Sequence, residues 1–200
     1  MDWLHAILLG IVEGITEFLP ISSTGHLTIV EKLLGYQVDA PEITAFTAVI
    51  QIGAILAAVI YFWKDIFQVI KAFITGLVQK KPFEDPDARL GWYLILATLP
   101  IGFIGFLIKP VIERTFSRPI LSAWFLLGTA VLLILAEFFS RQNRKEGDMK
   151  WQDALWIGFF QVFALLPGIS RSGATISGGM TRHLERPAAA RFAFLLSIPA

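Results

Sequence analysis

Four stretches of this 200-residue chain run for 17 to 20 residues without a charged side chain: Thr44 to Trp63, Gly91 to Ile108, Pro119 to Ala136 and Ala154 to Ser170. About 20 apolar residues of helix are needed to cross a hydrocarbon core of about 30 Å. Runs of this length read as membrane helices, so the expected fold is an all-α polytopic membrane protein. Composition agrees: 16% of residues are charged, against about 25% in a soluble domain. There is no cysteine, which excludes a disulfide framework and a thiolate metal site. Met1 to Leu9 lacks the basic region and cleavage site of a signal peptide and starts the first membrane segment. Lys80 to Asp87 is expected to be a water-exposed loop, and Ile66 to Leu77 an interfacial helix with Lys71 on its polar side. The net charge of +1 sums two differently charged faces. Membrane lipid is the expected surroundings, and no nucleic-acid partner is expected.

Two stretches do not read as plain spans. Trp3 to Leu34 carries Glu13, Glu17, Pro20, Ser22, Ser23, Thr24, Gly25 and His26 in its middle. Trp151 to Arg182 carries Gln161, Pro167, Gly168, Ser170, Arg171, Ser172, Gly173 and Thr175. Each is an apolar half-helix, a Pro/Gly/Ser-rich break and a second short apolar stretch. That pattern predicts a re-entrant hairpin, tolerated at membrane depth only where protein or water covers it. The two also align loosely, Gly10-Ile-Val-Glu13 with Gly158-Phe-Phe-Gln161 and the serines with one another, given one small insertion near the serines. Interrupted segments at corresponding places in two halves point to a site at their interface.

Charge counting sets the sides. Loops 64–89, 140–153 and 182–191 hold twelve basic residues, while the opposite side has Lys32, Lys109, Arg114 and Arg118. The positive-inside rule puts the richer side in the cytoplasm. The hairpins then enter from opposite faces and meet near the bilayer midplane, which is an inverted repeat: one membrane domain over 1–200, with repeat 1 at 1–140 and repeat 2 at 151–200. Spans at 43–62, 91–108 and 119–138 follow the first hairpin. Only the start of one, Ala188 to Ala200, follows the second, so about two more spans are expected beyond Ala200.

Glu13 and Glu17 stand i and i+4, on one helix face. Glu13 lies ten residues past Trp3, or about 15 Å into the bilayer, where a charge costs about 2.5–3.5 kcal/mol. Two such carboxylates suit a Mg²⁺ or Ca²⁺ site, or a general base beside a metal ligand; the plainer reading is a pair of neutral acids gluing helices. Intramembrane ionisable residues favour function. Ser22-Ser23-Thr24-Gly25-His26 offers hydroxyls and an imidazole, with His26 or Glu17 as base for a hydroxyl nucleophile, or else a helix N-cap. The two are compatible, since N–H groups at a helix start also bind phosphate. Arg171, in a Gly/Ser/Thr-rich turn, has the planar fork that suits phosphate oxygens; the alternative is an internal ion pair with Glu13 or Glu17.

Glu13-Gly-Ile-Thr-Glu17-Phe-Leu-Pro-Ile-Ser-Ser-Thr-Gly-His26 and Pro167-Gly-Ile-Ser-Arg-Ser-Gly-Ala-Thr175, with Gln51-Ile-Gly-Ala-Ile-Leu-Ala between them, resemble the undecaprenyl-diphosphate phosphatase family of the bacitracin-resistance type. The resemblance implies a divalent-metal-dependent enzyme of the bacterial inner membrane. Its site would open toward the periplasm, and its substrate would be a polyisoprenyl pyrophosphate, the lipid carrier of cell-wall synthesis. It implies catalytic roles for Glu13, Glu17, Ser23, His26 and Arg171, leaving Ser23 and His26 both open as nucleophile. Ser22, Thr24, Ser170, Ser172, Gly173 and Thr175 would bind substrate, and Glu13 and Glu17 the metal. Members run on for roughly another third of this length, and a homodimer fits the sequence. The rival is a transporter or flippase of an anionic lipid, since inverted hairpins are also transporter architecture.

Overall fold

The computed structural model describes residues 2–116 and 119–199, without the side chains of 111, 113–116 and 119, and among the described residues every extended element is a helix. Arg118 and the side chain of Arg114, counted above on the sparsely charged side, lie outside the described residues. Three helices are long and apolar enough to cross a membrane: α3 (Pro41–Tyr61), the Pro86–Pro110 part of α5 (Pro86–Phe116), and Ile120–Phe139 within α6 (Pro119–Phe139). These are the expected spans, with α5 running past both ends of the stretch expected at 91–108. The α5 helix begins at Pro86, not near residue 91, because the Asp85 carboxylate accepts from the N–H groups of Asp87 and Ala88 and proline is preset for a first turn. Pro86 and Asp87 therefore leave the loop predicted for 80–87.

The fourth uncharged run is not one helix. Helix α7 (Trp151–Val162) passes into a 3₁₀ turn over Phe163–Leu165, and a new helix, α8 (Arg171–Thr181), starts after the break. The same happens near the N-terminus, where α1 (Trp3–Phe18) and α2 (Ser23–Leu33) are separated by residues 19–22. The cause is common to both. Leu19 precedes Pro20 and Leu166 precedes Pro167, and the proline ring disfavours helical backbone in the residue before it; both leucines are extended. The two remaining helices are α4 (Trp63–Val78) and α9 (Arg186–Leu196). α4 stands where a helix was expected over 66–77 and is longer at its start: Val69 and Gly76 are buried and Lys71 is exposed. It packs on α5 through Phe73 and Trp92, whose rings lie 4.8 Å apart.

Burial in α1 is inverted relative to a soluble protein. Trp3, Ile7, Ile11 and Ile15, at four-residue spacing, are exposed, while Leu9, Glu13 and Thr16 are buried; Ile15 is 55% exposed and Glu13 1%. Apolar outside and carboxylate inside is what a hydrocarbon solvent selects. The tightest packing surrounds α8, where every residue from Gly173 to Met180 is buried. α6 backs both breaks through one face. Its Leu126 packs on Gly25, Thr129 on Gly173, and the Ser122 backbone on Gly168, at i+4 and i+7 from Ser122.

Polar loops join at one end of the molecule. The buried carboxylate of Asp153 takes Arg144 at 2.6 Å and Arg182 at 2.7 Å, Arg191 pairs with both Asp65 and Glu146, and Arg186 pairs with Glu137. Loops 64–89, 140–153 and 182–191, assigned to one side by charge, are thereby tied together. Burial alone would raise the Asp153 carboxyl, but the two guanidiniums overrule it and hold it below the usual carboxylate range.

Candidate active site

Each break ends in a serine that opens the next helix. Ser22 Oγ accepts from Gly25 N–H at 3.3 Å and Ser170 Oγ from Gly173 N–H at 3.0 Å, so both serines are side-chain N-caps. Glu13 precedes Ser22 by nine residues and Gln161 precedes Ser170 by nine. Counted from the prolines, Ser22 follows Pro20 by two residues and Ser170 follows Pro167 by three, which is the small insertion expected near the serines. Ser23 and Arg171 are then equivalent: each is the first residue of its helix.

These two residues converge on one carboxylate. Ser23 Oγ donates to Glu17 Oε2 at 2.7 Å, and Arg171 Nη2 donates to Glu17 Oε1 at 2.7 Å. Ser172 Oγ donates to the Glu17 backbone carbonyl at 3.3 Å. The ion pair weighed as an alternative for Arg171 is present. It engages only Nη2, and no partner is found for Nε or Nη1 among the described residues. The second break is anchored from behind, Ser170 N–H donating to Thr129 Oγ1 at 3.0 Å.

A cavity of about 220 Å³ opens between the two helix starts, and its exposed wall is more polar than apolar. Of the residues expected to act here, Glu17, Ser22, Ser23, Thr24, Ser170, Arg171 and Ser172 line it. The others stand back. His26 Nδ1 faces the Ser22 carbonyl at 2.8 Å, so that nitrogen carries the proton and His26 makes no bond to Ser23. Thr175 is buried, its hydroxyl spent on the carbonyls of Arg171 and Ser172. Gly173 has its N–H capped and lies against Pro20 and Thr129. Glu13 is buried, and neither carboxylate oxygen has a partner among the described residues.

That orphaned carboxylate is the observation bearing on a metal. Among the described residues no three His, Asp or Glu side chains gather as a ligand set. Glu13 has two free oxygens, and Glu17 lies one turn along the same face. Two carboxylates, completed by phosphate oxygens and water, suit a hard cation such as Mg²⁺, so the donor set fits. Gln51, from the middle of α3, also lines the cavity, and sequence reasoning gave it no role. The available signal was an uncharged amide in the centre of a span otherwise built from apolar and small residues.

The helices and the site define an all-helical membrane protein that brings a hydroxyl, a carboxylate and a guanidinium together inside its helices. The chain belongs to the bacitracin resistance protein BacA family, whose model matches residues 6–200. Similar proteins include the undecaprenyl-diphosphatase of Acidothermus cellulolyticus, 50% identical over 204 residues that cover 100% of this chain and 72% of that protein. The undecaprenyl-diphosphatase of Cutibacterium acnes is 51% identical over 201 residues, covering 100% of this chain and 71% of its own. That of Pelodictyon phaeoclathratiforme is 46% identical over 207 residues, covering 100% and 72%.

Proposed function

We propose that this protein hydrolyses undecaprenyl pyrophosphate to undecaprenyl phosphate and inorganic phosphate, recycling the lipid carrier of bacterial cell-wall synthesis. The observation that carries the chemistry is the short bond from Ser23 to Glu17 with Arg171 on the other oxygen of the same carboxylate. A hydroxyl nucleophile needs an acceptor for its proton within hydrogen-bond reach, and Glu17 is that acceptor. Ser23 Oγ bonds to the terminal phosphorus, the phosphoanhydride bond breaks, and undecaprenyl phosphate leaves. Glu17 passes the serine proton to the departing undecaprenyl phosphate. Water then cleaves the phosphoserine, with the Glu17 carboxylate taking a proton from the water and returning it to Ser23 Oγ. Arg171 Nε and Nη1, and the N–H groups at the start of α8, face the charge that develops on the phosphoryl oxygens. Glu13 and Glu17 would hold a Mg²⁺ or Ca²⁺ ion, which supplies neutralisation of phosphate charge.

The lipid tail lies in an apolar groove of about 530 Å³ between α3 and α9. Its Phe18 and Phe194 also border the hollow beside the Glu17–Arg171 pair. We read α1–α2 and α7–α8 as the re-entrant hairpins of an inverted repeat. Their common caps support this, and the tied polar loops support a cytoplasmic end opposite a site open to the periplasm. A carrier of the same lipid would have no use for the Ser23–Glu17 bond, which favours hydrolysis over transport.

The decisive experiment is phosphate release from undecaprenyl pyrophosphate by purified protein in detergent. Activity is expected, abolished by EDTA and restored by Mg²⁺ or Ca²⁺. Full activity after exhaustive chelation would remove the metal and leave both glutamates as acid/base groups. Cysteines placed singly at Lys80 and Gln142 should resist an impermeant thiol reagent in intact cells, and one at Asp39 should react.

A further inference from the structure

We infer that Gln51 is a substrate-binding residue, whose amide N–H groups hold the phosphate head of the substrate opposite Arg171. This rests on the phosphatase reading and adds to it a contact from a third helix. Gln51, Ala54, Ile55 and Ala58 fall at i, i+3, i+4 and i+7 of α3, one face of a helix. The structure turns that face to the site. Gln51 and Ile55 line the polar cavity, while Ala54, Ile55 and Ala58 border the hollow beside the Glu17–Arg171 pair. Ala54 and Ala58 are buried, and their small side chains bring α3 close. The stripe is apolar except at its head, where it meets the cavity.

The cavity's polar groups are unequal in what they can still give. Ser22 and Ser170 are spent as caps, Ser23 and Ser172 donate to Glu17, and Arg171 gives one nitrogen to Glu17. Gln51 has no hydrogen bond to any described residue. Gln51 is half-buried, and its amide carries two N–H donors that stay available to a ligand in the cavity. A phosphate oxygen satisfies them. An uncharged donor also suits the place: Glu17 already supplies negative charge, and a carboxylate at position 51 would repel the incoming head group.

The test uses Gln51→Leu and Gln51→Glu in the full chain. Kinetics on undecaprenyl pyrophosphate are measured together with binding of inorganic diphosphate in Mg²⁺, read as a shift of the thermal unfolding midpoint. A lost hydrogen bond to a charged acceptor predicts a rise in KM of roughly tenfold or more for Gln51→Leu, with kcat nearly unchanged. Gln51→Glu should bind diphosphate more weakly still, although its shape is that of glutamine. Unfolding midpoints without ligand should match wild type. Wild-type KM and diphosphate affinity in Gln51→Leu would overturn the inference. Should Gln51→Leu not fold, wild-type diphosphate affinity in Gln51→Glu would overturn it equally. Turnover by the wild-type protein tests the phosphatase reading and diphosphate binding by the variants tests Gln51, so either can fail alone.

Discussion

The two interrupted segments are built alike and equipped differently. Each reaches an extended leucine before a proline, directly after α1 in the first and after the 3₁₀ turn that follows α7 in the second. Each restarts with a serine cap and presses the glycine at the third helical position against α6. The differences fall at few positions. The first segment has Glu13 and Glu17 where the second, at the same distance from its cap, has Gln161 and Leu165. The first begins its new helix with Ser23 and the second with Arg171. Backbone strain is placed differently too. Ser22 itself adopts a φ of +72°, whereas in the second segment Gly168 takes +101°, two residues before the cap. One local fold thus supplies acid and nucleophile from one side and a cation from the other. Glu17 is where they meet.

The largest effect should come from separating the halves chemically. Glu17→Gln keeps the shape but cannot accept the Ser23 proton, and loss of a general base lowers kcat by roughly 10² to 10⁴. A kcat within threefold of wild type would break the assignment and pass the base role to His26. Next comes the far end of the second segment, where Asp153 is clamped by Arg144 and Arg182 and the first segment has no counterpart among the described residues. Asp153→Asn should destabilise the protein by about 3 kcal/mol, the lower end for a broken buried pair, since both arginines reach solvent. Thermal unfolding in detergent measures it. Because the Asp153 carboxyl titrates below its usual range, this stabilisation is present at neutral pH and is lost as pH falls through that depressed value. An Asn variant with the acid sensitivity of wild type would contradict the pairing.

Arg171→Lys tests the second segment's cation. Lysine can still pair with Glu17, but it has no fork for phosphate. Losing a charge-assisted hydrogen bond lowers kcat/KM roughly ten- to a hundredfold. Near-wild-type kinetics would make Arg171 a counter-ion and nothing more. The smallest effect sharpens the likeness itself: Ser22→Ala and Ser170→Ala should each cost about 1 kcal/mol of stability. A clear inequality in unfolding midpoints would show that the shared cap does different work in the two places.

Much of this was legible in the chain because it is local. Uncharged run length gave three spans, Pro/Gly/Ser-rich composition gave the breaks, and the serines at 22 and 23 offered a cap, each within a few residues. The matching cap at Ser170 was not anticipated. What sequence reading missed is long-range. Thr175 and Gly173 belong to the same motif as Arg171, yet helix geometry turns them into the core. The basic residues of three loops were counted for sidedness, but nothing in a count says that Arg191 meets both Asp65 and Glu146 across 126 and 45 residues of sequence. Gln51 reaches the cavity only because α3 lies where it does.

Helix α6 touches the first break at Leu126 and the second at Thr129 and Ser122. A rigid rod contacted by both edges of an opening acts as a ruler: it sets the gap, and neither edge can drift without losing its mark. The gauge between nucleophile and guanidinium is therefore written on a helix that supplies no reacting group. Substituting Thr129 would miscalibrate the site from behind.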